Sequence, residues 1–352
     1  MAKIAELFGT KVDDAAHTVP SDNWLTCHCP FTGKICDVSA NRGDRAYFDV
    51  AGSAVTDEDR VIYAKHYTSP RTPLGICSVS TKRRFEADSK PWIICPKRMM
   101  ELHSSPPIIL PEVRNLIPIK PGSDVRCWWE FKFASTDDTE ENDVAGRFFE
   151  FTFDYILMEV EKRPNSIHPR LIGPPFILEI MTSSTRGGGL TEHMADVLAL
   201  RDQRSLRGAV KSPYTPNYRQ VFGRMASQLF AKSEAASRWG GKTIWILQDV
   251  LLEYIQQTTA FRPEPFVGRQ DGNVNMVVYK MEQEQTKNQF NLVYDKTLVG
   301  NSRVDDPANP DFTGMLGVGH IPSLELLKST LERTQAKRRK PGDNINWIDF
   351  VW

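Results

Sequence analysis

Residues 147–160 read RFFEFTFDYILMEV and residues 174–181 read PPFILEIM. The first stretch alternates apolar and polar residues over part of its length, as a strand with one covered face does. The second is almost wholly apolar, the texture of a central strand covered on both faces. Each carries one carboxylate in its interior, Asp154 in the first and Glu179 in the second. Carboxylates on adjacent buried strands are costly unless a paired cation or a metal ion compensates the charge. Upstream, Cys127–Phe133 (CWWEFKF) reads as a further strand, separated from the first by the acidic, solvated loop Thr136–Asp143.

Working outward, Thr191–Arg201 reads as a helix and Asn217–Trp239 as a longer one. In the longer helix Val221, Met225 and Leu229 mark one apolar face, and Gly240-Gly241 ends it. Then follow a strand at Thr243–Leu247, a short helix at Val250–Ile255, and strands at Val274–Met281 and Phe290–Tyr294. A last helix over Ser323–Lys337 runs into the basic stretch Lys337–Lys340. Strands, helices and strands in this succession predict an α/β fold with a mixed sheet flanked by helices.

The N-terminal third has a different texture. Met1–Gly9 reads as a short amphipathic helix, and residues 21–105 hold five of the six cysteines among many turn residues. This part reads as a small, loop-rich region that needs a staple. Ser104-Ser105-Pro106-Pro107 blocks helix and sheet continuation, which divides the chain into residues 1–105 and 106–352.

Lys plus Arg and Asp plus Glu number 44 each in the 352 residues, so the formal net charge is zero. Proteins that only coat nucleic acid are basic overall, and the balance argues against that class while leaving room for a local basic cleft. No run of about 18 apolar residues is present, so no membrane span is expected. The N-terminus lacks the long apolar core of a signal peptide. The reading is a cytoplasmic protein in a reducing compartment, where cysteines serve as ligands or buried thiols more often than as disulfides. Neither a Gly-x-Ser-x-Gly elbow nor a nucleotide fingerprint occurs.

Asp154, Glu179 and the carbonyl of Ile180 form an oxygen set suited to a hard divalent ion such as magnesium. Such an ion polarises a phosphate and activates water. By spacing alone the same residues also fit ordinary strand-end carboxylates.

Several short segments occur in one order over residues 1–250: Ile4–Val12 (IAELFGTKV), Cys29-Pro30-Phe31, Cys95-Pro96-Lys97-Arg98, Phe151–Val160 (FTFDYILMEV), Leu178-Glu179-Ile180 and Val221–Lys232 (VFGRMASQLFAK). In this set the chain resembles the NotI-type restriction endonucleases, a branch of the PD-(D/E)XK nuclease superfamily. The resemblance implies a magnesium-dependent type II restriction endonuclease of a restriction-modification system. Such an enzyme cuts both strands of double-stranded DNA at a short palindrome, acts as a homodimer, and leaves a 5′-phosphate and a 3′-hydroxyl. Asp154 and Glu179 map onto its catalytic metal ligands.

In the superfamily the residue two after the glutamate is Lys, or Gln in NotI-type members. Here it is Met181, whose thioether has no proton to donate. Either a polar group from elsewhere supplies the donor, with Gln228 and Lys232 on the long helix as candidates, or metal and carboxylates suffice at a slower rate. Without a donor, the alternative is a metal-stapled, sequence-specific DNA-binding protein with little or no cleavage activity.

The resemblance also implies that Cys29, Cys36, Cys77 and Cys95 form a structural four-cysteine site, whose thiolates suit zinc or iron. Six residues separate the first pair and 17 the last. Cys27 stands close enough in sequence to take the place of Cys29, and Cys127 reads as a core residue. Lys82-Arg83-Arg84, Lys97-Arg98, Arg186, Arg201 and Arg204 are candidate DNA contacts or solvated charges, and Arg186-Gly187-Gly188-Gly189 is a loop where backbone could approach DNA or simply turn.

Overall fold

The structure is a computed structural model. It describes residues 3–12, 23, 28–36, 47–49, 71–73, 75–81, 89–102, 107–135, 149–161, 170–182, 185–186, 215–284, 289–302 and 310–317. The predicted helices at Thr191–Arg201 and Ser323–Lys337 lie outside these residues. So do Cys27, the triplet Lys82–Arg84, Arg201, Arg204, the glycines 187–189 and residues 103–106 of the proposed boundary.

Strands β1 (Lys3–Leu7), β2 (Thr10–Lys11), β5 (Ile76–Thr81) and β6 (Lys90–Ile93) form a four-stranded sheet in the order β2-β1-β5-β6. Two small ribbons pair β3 (Tyr47–Asp49) with β4 (Arg71–Pro73) and β10 (Thr185–Arg186) with β11 (Thr215–Pro216). The main sheet has six strands: β7 (Val125–Ser135), β8 (Phe149–Glu161), β9 (Arg170–Met181), β12 (Lys242–Gln248), β13 (Val274–Glu284) and β14 (Gln289–Gly300). Their order is β14-β13-β12-β9-β8-β7. The strands β7, β8 and β9 run as an antiparallel meander, β12 is parallel to both β9 and β13, and β14 returns antiparallel. A mixed sheet with few flanking helices is thus the architecture.

The order follows from the sequence texture. Both β9 and β12 are nearly continuous apolar runs, and both are buried along the stretch where they pair, as central strands require. The connection between them carries helix α2 (Tyr218–Arg238), while α1 (Pro111–Asn115) and α3 (Asp249–Thr258) lie before and after. One face of the sheet is covered by α2, α3 and the smaller sheet: Met181, Trp245 and Leu247 share a buried cluster with Val221, Met225 and Leu229, with Leu251 and Ile255, and with Ile4, Leu7 and Trp92. The opposite face buries Tyr155, Leu178, Ile180 and Ile246 against Met99, Met100 and Val113.

Helix α2 starts where the Asn217 side chain accepts from the Gln220 backbone N–H, a side-chain N-cap. It ends at Gly240, whose φ of +74° suits a glycine, and Gly241 N–H donates to the Ala236 carbonyl at 2.8 Å. A Cβ on Gly241 would stand 1.9 Å from the Pro175 carbonyl oxygen. The end of the helix is therefore pressed onto β9, which fixes what α2 presents to that strand.

The amphipathic helix expected at Met1–Gly9 is instead strand β1. Ile4, Ala5, Glu6 and Leu7 are all buried, so consecutive residues face protein on both sides and a one-faced helix has no advantage. The turn after it uses Phe8 and Gly9, both at positive φ. The N-terminal region accordingly has a sheet of its own, whose apolar residues run into the cluster beneath the main sheet.

Candidate catalytic carboxylate site

Strand alternation puts Ile177, Glu179 and Met181 on the face of β9 that α2 covers. Ile177 packs with Phe153 and Ala236, and Met181 packs with Val221, Met225 and Leu229. Glu179 sits between these two apolar contacts and is 2% exposed. Tyr155 of β8 pairs with Leu178 of β9, so one residue further along Asp154 stands opposite Glu179. The structure thus brings the two predicted carboxylates together. The half-buried Asp154 accepts the backbone N–H of Ile180 at its Oδ2, 2.8 Å away.

The cation is Lys232 of α2. Its Nζ lies 2.6 Å from Glu179 Oε2 and donates to the Thr152 carbonyl at 2.7 Å. It also stands 5.2 Å from the centre of the Phe153 ring. Lys232 is 1% exposed, whereas Gln228 is half-buried and makes no hydrogen bond among the described residues. Of the two helix residues expected to replace a donor at position 181, Lys232 reaches the carboxylates. Met181 itself is part of the core.

Burial raises the proton affinity of Glu179 first and the charge of Asp154 second; Lys232 pulls it back, and the balance leaves the carboxyl pushed up to about 8. Asp154 is also raised, by burial; the Ile180 N–H, Lys232 and Arg224 oppose this, and Glu130 adds to it. The Oε1 of Glu179 is buried with no hydrogen-bond partner. A buried acceptor in that condition is met by a proton, a water or a cation.

No protein-family model matches the chain, and no curated protein matches it.

Cys77 is in β5, an interior strand of the smaller sheet, and Cys95 follows β6. Cys29 is buried in a tight hairpin closed by Cys29 N–H on the Lys34 carbonyl at 2.7 Å and Gly33 N–H on the Cys29 carbonyl at 2.9 Å, with Cys36 at its far end. Cys95 N–H donates to the Cys77 carbonyl at 3.3 Å. Burial pushes the Cys77 thiol well up, and Glu6, Cys95 and Cys36 add to the shift. Cys36, Cys77 and Cys95 therefore share one electrostatic neighbourhood, and no described cysteine is in a disulfide. Among the described residues, no group of three or more His, Cys, Asp or Glu side chains is arranged to hold a metal ion as it stands. Cys127 is half-buried, packs against the core and is pushed up to about 11 by burial.

Arg98 is a correction to its reading as a DNA contact. It is buried, its guanidinium stands 3.5 Å from Glu6 Oε1, donates to the Phe290 carbonyl at 2.6 Å and lies 4.5 Å from the centre of the Phe31 ring. It ties the cysteine hairpin to β1 and β14. Arg186 is in β10.

Two further residues near the carboxylates escaped the sequence reading. Glu130 sits within β7 at φ +46°, beside Trp129 and Phe131, which pair with Tyr155 and Phe153. Arg224 lies eight residues before Lys232 on α2. Its signal was the four-residue spacing Arg224, Gln228, Lys232, which places all three along one side of a helix.

Proposed function

We propose that this chain is a divalent-cation-dependent endonuclease of double-stranded DNA, working as a type II restriction enzyme on a short palindrome as a homodimer. One observation carries the reading: Glu179 is buried with Oε2 held by Lys232 and Oε1 without a donor, directly beside Asp154. The fold is compatible with it, since a mixed sheet flanked by helices is what the resemblance to PD-(D/E)XK nucleases implies.

Asp154 and Glu179, with the Ile180 carbonyl, are the groups that would hold a magnesium ion. When bound, such an ion supplies Lewis acidity to a phosphate and acidity to water. The residues fit it, because two adjacent carboxylates with raised proton affinity, one of them with a buried oxygen that accepts no hydrogen bond, gain from a nearby cation. Lys232 holds Glu179 in place and offsets its charge. Of the three N–H donors of an ammonium, the Thr152 carbonyl and Glu179 take two, which fixes the lysine against the strand that carries the site. A lysine reaching in from α2 supports the cleaving reading over a protein that binds without cutting, the alternative that Met181 raises.

The four cysteines would hold zinc or iron as a structural site. Cys36, Cys77 and Cys95 lie within electrostatic reach of one another, and a bound ion would hold such thiols as thiolates by releasing their protons. No described helix is long and apolar enough to cross a membrane.

The test is incubation of the purified protein with several large DNAs, with magnesium and with EDTA in parallel. Discrete fragments that require magnesium are expected, and their ends give the target and overhang. Asp154→Ala and Glu179→Ala should abolish them while DNA binding persists. Intact DNA from folded protein, across a set covering every short palindrome, would overturn the reading.

A further inference from the structure

Helix α2 places Arg224, Gln228 and Lys232 at four-residue intervals. Residues so spaced lie along one side of the helix, about 6 Å apart per interval along the axis. Exposure changes steadily along this stripe: Lys232 is buried against Glu179, Gln228 is half-buried, and Arg224 is exposed. The stripe thus leads from solvent to the carboxylates. Arg224 is close enough to lower the proton affinity of Asp154, yet among the described residues its guanidinium makes no ion pair or hydrogen bond. Among the described residues nothing engages its five N–H donors, which form a fork matched to two oxygens of one phosphate.

Resting on the nuclease reading, we infer that Arg224 is a positioning residue that grips a DNA backbone phosphate at the mouth of the Asp154 and Glu179 site, with the Gln228 amide beside it on the same track. Arg224 sets where the strand lies relative to Asp154. It takes no part in the chemistry at phosphorus.

The test measures binding of the full chain to a mixed-sequence DNA duplex over a range of salt, with calcium in place of magnesium. Arg224→Ala is compared with Arg224→Lys and with Arg238→Ala. The last removes the same charge from the far end of the helix, where Arg238 pairs with Glu234. Loss of one phosphate contact lowers the slope of log affinity against log salt by about 0.9. Arg224→Ala should show that loss with an unchanged melting temperature, Arg224→Lys should recover part of the affinity, and Arg238→Ala should match the wild type. A salt slope for Arg224→Ala equal to that of the wild type or of Arg238→Ala overturns the role of Arg224 and leaves the nuclease reading intact. Absence of salt-dependent duplex binding by the wild type overturns both.

Discussion

Lys232 Nζ lies 2.6 Å from Glu179 Oε2, and both side chains are almost wholly cut off from solvent. Removing one member of such a pair strands the other charge, at a cost of about 3–5 kcal/mol. Lys232→Met should therefore destabilise the fold by about 3 kcal/mol at pH 9. The loss should shrink toward pH 6, because Glu179, already pushed up to about 8 with the lysine present, rises further without it and is then neutral when folded. Denaturant unfolding at the two pH values checks this, and equal losses at both would refute it.

In the wild type the same carboxyl links stability to pH. Glu179 is raised in the folded state from an ordinary value of 4.5 to about 8, so the folded chain binds the extra proton in that window. Its contribution is complete below about pH 4.5 and is lost as pH rises through about 8. A divalent ion held by Asp154 and Glu179 must displace protons. Stabilisation by magnesium or calcium should thus grow from pH 6 to pH 9, reaching about 2.7 kcal/mol at a hundredfold excess over Kd. Melting curves with and without the ion decide the matter: a pH-independent shift, or one that survives in Asp154→Asn, contradicts the site.

The strands that carry the site were legible because their apolar texture is long and one-sided or continuous, as in β8, β9 and β12. Helix α2 was legible from Val221, Met225 and Leu229. The same periodicity held a further signal, since Lys232 and Ala236 continue that buried face and a lysine in register with core residues demands a partner. Strand β1 was not legible. Its burial on both sides comes from partners distant in sequence, and Glu6 is tolerated inside only because Arg98 and Ser78 reach it. Arg98 was misread for the same reason: a charge in a basic pair looks solvated until the fold encloses it.

The cysteine neighbourhood makes a separate prediction. Protein purified without chelator should carry about one zinc or iron per chain, as four thiolates bind one ion. Cys77→Ser should lose that metal and lower the melting temperature, because Cys77 is within electrostatic reach of both Cys36 and Cys95. Elemental analysis showing metal-free wild type with the same melting curve as Cys77→Ser would remove the staple from the account.

Glu130 is held at φ +46° within a strand, where a residue with a Cβ costs about 1–2 kcal/mol. Glycine relieves that strain but adds about 0.5–1 kcal/mol of chain entropy to be lost. Glu130→Gly should therefore stabilise the fold by roughly 0.5–1 kcal/mol. The carboxylate has a second effect, since its charge raises the proton affinity of Asp154. Both Glu130→Gly and Glu130→Gln should lower the pH at which divalent-cation stabilisation appears, while only the glycine variant gains stability without the ion. Separation of the two effects by these variants identifies backbone strain and charge as independent properties of Glu130. A glutamine variant as stable as the glycine one would show instead that the cost lies in the charge, and that the backbone at this point of β7 is under no strain.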